Sequence, residues 1–201
     1  MPDELTLVLL KPDALERSLT GVIMTQLSAE GLVIAGAKVV KVSQNLAERH
    51  YEEHKDKPFF DELIRYLQGE FHSGQKVLAL AYFGPEAVKR IREKVGPTNP
   101  MERVGIREPV TIRQKYGRVV PVKGPDGRDV VEDGNVVLRF ENVIHGSTGE
   151  SVEQEIKLWF EPEELLPDAR LFPTKTRIVR EYEGGQVVAE REKLVWAEPV
   201  W

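Results

Sequence analysis

The sequence predicts an α+β protein: a ferredoxin-like βαββαβ antiparallel sheet with helices on one side, extended by an inserted β-hairpin and a β-rich C-terminal tail. Three observations predict it. Setting two segments aside leaves the order β-α-β, short helices, β-α-β, which is the split βαβ order. The stretch 118–140 carries Asp126-Gly127 and Asp133-Gly134 between β-branched runs, as hairpins do. After Pro162 and Pro167 the composition changes, and 174–201 is β-prone around a Glu183-Gly184-Gly185-Gln186 turn. The chain is therefore read as a domain over 1–167, with the hairpin inserted at about 118–139, and an extension over 168–201.

The elements follow in order. LTLVLL at 5–10 is β-prone and stops at Lys11-Pro12-Asp13, a turn signal. Thr20 to Glu30 places Val22, Ile23, Gln26 and Leu27 on a mostly apolar helical stripe that Gly31 ends. Residues 32–42 read as a strand, Asn45 to His54 as helical, and Phe59 to Leu67 as a second helix after Pro58. Gly69 to Gly74 is a loop and 76–83, KVLALAYF, a strand. Pro85 suits the first turn of a helix over Glu86 to Val95. The segment 96–116 holds Pro97, Pro100 and Pro109 and reads as a long irregular loop, a length that in compact domains usually means function or disorder. Val143-Ile144 is a short strand and Glu150 to Phe160 a helix, started by a capping box of Ser151 with Gln154 or of Ser147 with Glu150.

The bulk numbers exclude several classes. A chain of 201 residues with 41% hydrophobic content can bury a core. A net charge of −5 argues against a protein that binds nucleic acid by bulk positive charge. With no cysteine there are no disulfides and no thiolate metal sites. The apolar run at the N-terminus is too short for a signal peptide and follows Asp3 and Glu4, and no stretch approaches the roughly 18 apolar residues of a membrane span. The expected location is the cytoplasm.

The chemistry centres on FENVIHGSTG at 140–149, where an apolar pair runs into His145 and then a small-residue turn. A helix start just beyond offers free N–H groups and partial positive charge to a phosphate. In that helix Glu155 borders the stripe of Val152, Ile156 and Trp159. A carboxylate there wants a partner; His145 is one candidate, Lys157 or water the other. Paired with His145, it would fix the imidazole tautomer and leave the second nitrogen free as a nucleophile. Phosphoryl transfer needs mainly positioning and cations, and Lys11, Arg92 and Arg113 all lie near turns, although spacing alone does not bring them together.

At this point the residues resemble those of a known family. KPDALER at 11–17, HYEEHKDKPFF at 50–60, GPTNP at 96–100, TIR at 111–113, NVIHGS at 142–147 and EIKLWFEPEEL at 155–165 resemble, in order, the motifs of the nucleoside diphosphate kinases, and they span most of 5–166. The resemblance implies that His145 is transiently phosphorylated, that Glu155 and Ser147 support its ring, and that Lys11 contacts phosphate and ribose. It implies Tyr51 lining the site, Phe59 stacking on the base, Arg92, Thr98 and Arg113 contacting phosphates, and Asn142 contacting the ribose. Stacking suits broad base specificity, since every base has a π-face. The implied reaction is a ping-pong transfer of the γ-phosphoryl group from a nucleoside triphosphate to a nucleoside diphosphate. Mg²⁺ is the implied cofactor, bridging nucleotide phosphates without a protein cage, and the implied assembly is a homo-oligomer, hexameric or tetrameric. The alternative is a non-catalytic nucleotide-binding or scaffold protein on the same fold.

The chain departs from the pattern in places. Thr148 stands where aspartate often follows HGS, Phe140 and Glu141 replace a usual glycine and arginine, and the loop from Pro100 to Thr111 is longer than usual. These changes touch the far wall of the base site and spare the histidine, the lysine and both arginines. His50-Tyr51-Glu52-Glu53-His54 also spells H-x-x-E-H, a zinc-protease pattern if both histidines share a helix face.

Overall fold

The computed structural model describes residues 2–102 and 110–198. Along the chain run β1 (Asp3–Leu10), α1 (Pro12–Glu16), α2 (Thr20–Ser28), β2 (Val33–Val40), α3 (Gln44–His50), α4 (Phe60–Gln68), β3 (Val77–Pro85) and α5 (Ala87–Val95). Then come α6 (Ile112–Tyr116), β4 (Arg118–Pro121), β5 (Val131–Glu132), β6 (Asn135–Val136), β7 (Leu138–Glu141), β8 (Ile144–Gly146), α7 (Val152–Trp159), β9 (Thr174–Glu183) and β10 (Gln186–Trp196). The central sheet has the order β2-β3-β1-β8, antiparallel throughout, which is the ferredoxin-like arrangement that the sequence predicts.

The helices cover both faces of this sheet, not one. On one face Val8, Leu10, Leu80 and Tyr82 pack with Ile23 and Leu27 of α2 and Ile91 and Val95 of α5. These are the two crossover helices, on one side as expected. On the other face Leu5, Leu7, Leu9, Ala79 and Ala81 pack with Ala47 of α3, Ile64 and Leu67 of α4, and Val152, Ile156 and Trp159 of α7. The cause is visible in β1: all of Leu5 to Leu10 is buried, and a strand covered on both sides loses its polar alternation. Each leucine so buried contributes about 1.5–3 kcal/mol.

Several boundaries differ locally. Lys11-Pro12-Asp13 opens the short helix α1, with Pro12 at its first position. Pro85 ends β3 instead of starting α5, and Glu86, at φ 53°, makes the corner. Part of the segment read as irregular is α6, started by a capping box of Thr111 with Gln114; its residues 103–109, with Pro109, lie outside the described residues. No capping box starts α7: Ser151 Oγ bonds to Thr148, and Ser147 turns to Glu155.

The insertion is a nested hairpin. β4 pairs with β7, and β5 with β6 around the Asp133-Gly134 turn. It is tied down at its base, where buried Glu141 accepts from Arg118 at 2.6 Å and Arg139 at 3.1 Å, with His72 Nε2 at 3.3 Å. The tail is the β9–β10 ribbon, turned at Gly184 and Gly185, both at positive φ as a two-residue hairpin requires. Trp196 anchors it, donating from Nε1 to the Phe160 carbonyl at 2.8 Å. Among the described residues no helix is long and apolar enough to cross a membrane.

Candidate active site

Sheet pleating aims the central side chain. His145 stands opposite Leu9 in the β1–β8 pairing, and Leu9 belongs to the face that α3 and α7 cover. α7 presents Glu155 and Trp159, one turn apart, to that same face. Glu155 Oε2 lies 2.9 Å from His145 Nε2 and accepts from Ser147 Oγ at 2.5 Å. Ser147 is itself pinned to β1: its N–H donates to the Leu7 carbonyl at 3.1 Å and its Oγ accepts from the Leu7 N–H at 3.2 Å. Of the two partners open to Glu155, the histidine is the one found; Lys157 pairs with Glu153 at 2.6 Å.

Burial pushes the Glu155 carboxyl up, but the His145 imidazole, with further help from His50 and the Ser147 hydroxyl, outweighs it and holds the pKa down at about 2. Glu155 is therefore ionised at neutral pH and can only accept. That assigns the neutral imidazole its proton on Nε2 and its lone pair on Nδ1. Nδ1 makes no hydrogen bond to a described residue.

A second imidazole backs the first. His50, the last residue of α3, packs its ring 4.6 Å from that of His145 at 75°. Its Nδ1 accepts from Trp159 Nε1 at 3.2 Å, and its buried Nε2 has no partner among the described residues. Burial, then His145, lowers its pKa to about 3, so it stays neutral. α3 ends at His50 and a 3₁₀ turn carries His54, so the H-x-x-E-H residues do not share one helix face. Ligand atoms of His50, His145 and Glu155 lie within 4.8 Å of one another. That set is poor for Mg²⁺, which demands near-octahedral oxygen ligands.

The turn before β8 is strained and pinned. Val143 sits at φ 59°, a rare conformation for a β-branched residue. The Ile144 N–H donates back to the Asn142 carbonyl at 2.7 Å, closing a three-residue turn. Buried Asp13 holds it: Oδ2 accepts from the Val143 N–H at 3.1 Å and Oδ1 from the Tyr66 hydroxyl at 2.7 Å. The Lys11 N–H donates to the Val143 carbonyl at 2.9 Å.

The polar groups converge around this turn. Lys11, 3% exposed, donates from Nζ to Asn142 Oδ1 at 2.9 Å, and Asn142 Nδ2 donates to the Thr98 carbonyl at 3.0 Å. Burial, then Arg113, lowers the Lys11 pKa to about 7, against the pull of Asp13. Arg113, placed by the Thr111 cap, donates from Nε and Nη2 to the Ile144 carbonyl and from Nη1 to that of Gly96. Arg92 is exposed and reaches the Gly146 carbonyl at 3.4 Å. Tyr51 is buried beside His50, and His54 stands between it and Phe59, which is 53% exposed.

The structure thus brings His145, Ser147 and Glu155 into one cluster and joins Lys11, Asn142, Thr98 and Arg113 around its strand. Arg92 reaches the end of that strand, Tyr51 lines the cluster through His50, and Phe59 lies outward. Sequence reasoning missed Asp13, Tyr66 and the buttressing role of His50. Asp13 was visible only as part of a turn signal, and His50 only as part of a protease-like spelling; nothing local marks Tyr66.

Comparison with known proteins covers the same stretch of chain. The family model described as nucleoside diphosphate kinase matches residues 4–165. The nucleoside diphosphate kinase of Thermus thermophilus is 37% identical over 164 residues, covering 81% of this chain and 99% of that protein. That of Pyrococcus furiosus is 39% identical over 163 residues, covering 81% and 86%. Among solved structures, the Aquifex aeolicus nucleoside diphosphate kinase superposes with a TM-score of 0.63 at 30% identity, covering 82% of this chain and all of that one. The halophilic enzyme of Halobacterium salinarum, solved in complex with CDP, gives 0.63 at 34%, covering 82% and 92%. With a matched segment that runs from β1 past α7 and holds the whole cluster around His145, the chain belongs to the nucleoside diphosphate kinase family.

Proposed function

We propose that the phosphoryl transfer of this family runs here through His145 Nδ1. The lone pair attacks the γ-phosphorus of a nucleoside triphosphate, the bond to the β-phosphate oxygen breaks, and the diphosphate leaves. A β-phosphate oxygen of a second diphosphate then attacks the phosphorus, and the P–Nδ1 bond breaks. The observation that carries this reading is the Glu155 contact to Nε2, which leaves Nδ1 as the free lone pair. Ser147 and Glu155 hold the ring still through both steps, a form of preorganisation.

In this reading Lys11 and Arg113 face the phosphates. Each keeps donors to spare, since Lys11 spends one of three on Asn142 and Arg113 three of five on carbonyls. Arg92 and Thr98 complete the phosphate contacts, Asn142 holds the ribose, Tyr51 lines the pocket, and exposed Phe59 offers its face to any base. Mg²⁺, when bound with the substrate, would neutralise charge on the nucleotide phosphates; the cluster of His50, His145 and Glu155 does not suit it. The segment 168–201 is an extension beyond a catalytic domain of 1–167, the location is cytoplasmic, and the assembly is a homo-oligomer, hexameric or tetrameric. The scaffold alternative has no observation in its favour.

The test is incubation with γ-labelled ATP. The expected product is a covalent label, acid-labile and base-stable, on the wild-type chain and absent from His145→Ala. A wild-type chain that takes no label, or a variant that keeps it, would refute the assignment.

A further inference from the structure

The C-terminal ribbon leaves a long strand edge open. β9 is paired only with β10, and the pair forms a sheet of its own. Both faces of its outer part are bare: Ile178 is 57% exposed and Tyr182 63% on one, and Arg177 and Glu181 are exposed on the other. A two-stranded ribbon is marginal by itself, and an open edge is a template for another strand. The two edges are not alike. β10 is interrupted by a register shift between Val187 and Ala189, whereas β9 is unbroken from Thr174 to Glu183.

Charges usually blunt such an edge, but on β9 their order does the opposite. Lys175, Arg177, Val179, Glu181 and Glu183 alternate along one face, and the sign reverses about Val179. A second β9 laid antiparallel with Val179 opposite Val179 brings Lys175 against Glu183 and Arg177 against Glu181, each twice by symmetry. On the other face Thr176 meets Tyr182 and Ile178 meets Arg180. Other registers are worse. Centring on Ile178 keeps only Lys175 against Glu181, and centring on Arg180 keeps only Arg177 against Glu183.

We propose that a second copy of this chain docks on the β9 edge, β9 against β9 across a two-fold axis at Val179, making a four-stranded sheet. The contact is isologous and closes on itself. It lies outside the segment 4–165 that the family model matches, so it adds to whatever contacts the catalytic domain makes.

The chain has no cysteine, so Val179→Cys gives the full-length protein a single thiol on the axis. Opposed Cβ atoms in an antiparallel pair lie about 4.5–5.5 Å apart, near the roughly 3.5–4.5 Å of a disulfide. Diamide at low micromolar protein is expected to give a disulfide-linked dimer with Val179→Cys and none with Val188→Cys on the irregular β10. Added to Val179→Cys, Glu183→Lys should weaken ribbon pairing about tenfold, read as the loss of cross-linking. Adding Lys175→Glu to Glu183→Lys reinstates opposite charges and should recover it. With circular dichroism and phosphotransfer unchanged, absence of cross-linking at position 179, equal cross-linking at 188, or no recovery in the charge swap would each overturn the proposal. None of these readouts depends on the assignment of His145.

Discussion

Lys11 should take up a proton when a nucleotide binds. Its ammonium is buried in the free protein and faces Arg113, which lowers its pKa from 10.5 to about 7. A bound polyphosphate adds negative charge and restores the ordinary preference for the charged form. In the free protein the group is then about half protonated at pH 7, about one-tenth at pH 8 and about nine-tenths at pH 6. Binding a diphosphate should therefore take up about 0.9 proton at pH 8, about 0.5 at pH 7 and about 0.1 at pH 6 on account of this residue. Isothermal titration of the Mg²⁺ diphosphate in buffers of different ionisation enthalpy measures the uptake directly. Lys11→Arg keeps its charge throughout and should lose this component, which separates it from the titration of the phosphates. Equal uptake in both proteins at pH 8, or none in the wild type, would refute the reasoning. The sign for stability is also determined. The unfolded lysine holds its proton up to about 10.5, so the unfolded state binds more protons between about 7 and 10.5. The cost of burying Lys11 charged is full below about 7 and is relieved as the pH rises through that window.

Four further outcomes follow from the geometry. Glu155→Gln replaces an acceptor-only carboxylate with an amide that can accept or donate, so it no longer fixes the His145 tautomer, and kcat should fall about 100-fold with KM little changed; a change confined to KM in steady-state kinetics would count against the proposed role. The same carboxyl, held down at about 2 from an ordinary 4.5, contributes stability above pH 4.5 that fades as pH falls towards 2, and acid unfolding of the variant should lose that component. Asp13→Ala strands the Val143 N–H and the Tyr66 hydroxyl in the interior, which should cost roughly 2–5 kcal/mol in denaturant unfolding. A loss under 1 kcal/mol would show that the turn at Val143 holds without it. Gly96→Ala should cost roughly 2–4 kcal/mol, because Gly96 is at φ +85° and an added Cβ would meet the side chain of Thr111; a neutral result by thermal unfolding would refute this.

The cluster around His145 was partly legible in the chain because some of its information is local. The lone histidine before a turn, the carboxylate beside an apolar stripe and the cations at element ends each stand within a few residues of the signal that marks them. Thr111 with Gln114 had the makings of a cap, yet three prolines nearby made the segment read as loop. The edge of α5 was misplaced for a related reason: Pro85 is equally suited to the end of a strand, and the corner depends on the backbone of Glu86.

What the sequence by itself determined is the main strands and helices, without the short α1 and α6, their order and the residue types available for chemistry, since periodicity, turn pairs and caps act over a single turn or strand. Only the tertiary structure decided which side chains meet. Trp159 holds His50 across 109 positions and Asp13 holds Val143 across 130, and the helices covered both faces of a sheet whose central strand β1 is buried from Leu5 to Leu10 and apolar there except at Thr6. The physical reason is that a run buried on both sides carries no alternation to say which layer lies where. A strained turn such as Val143 persists only because distant groups satisfy its backbone, and no local pattern records them.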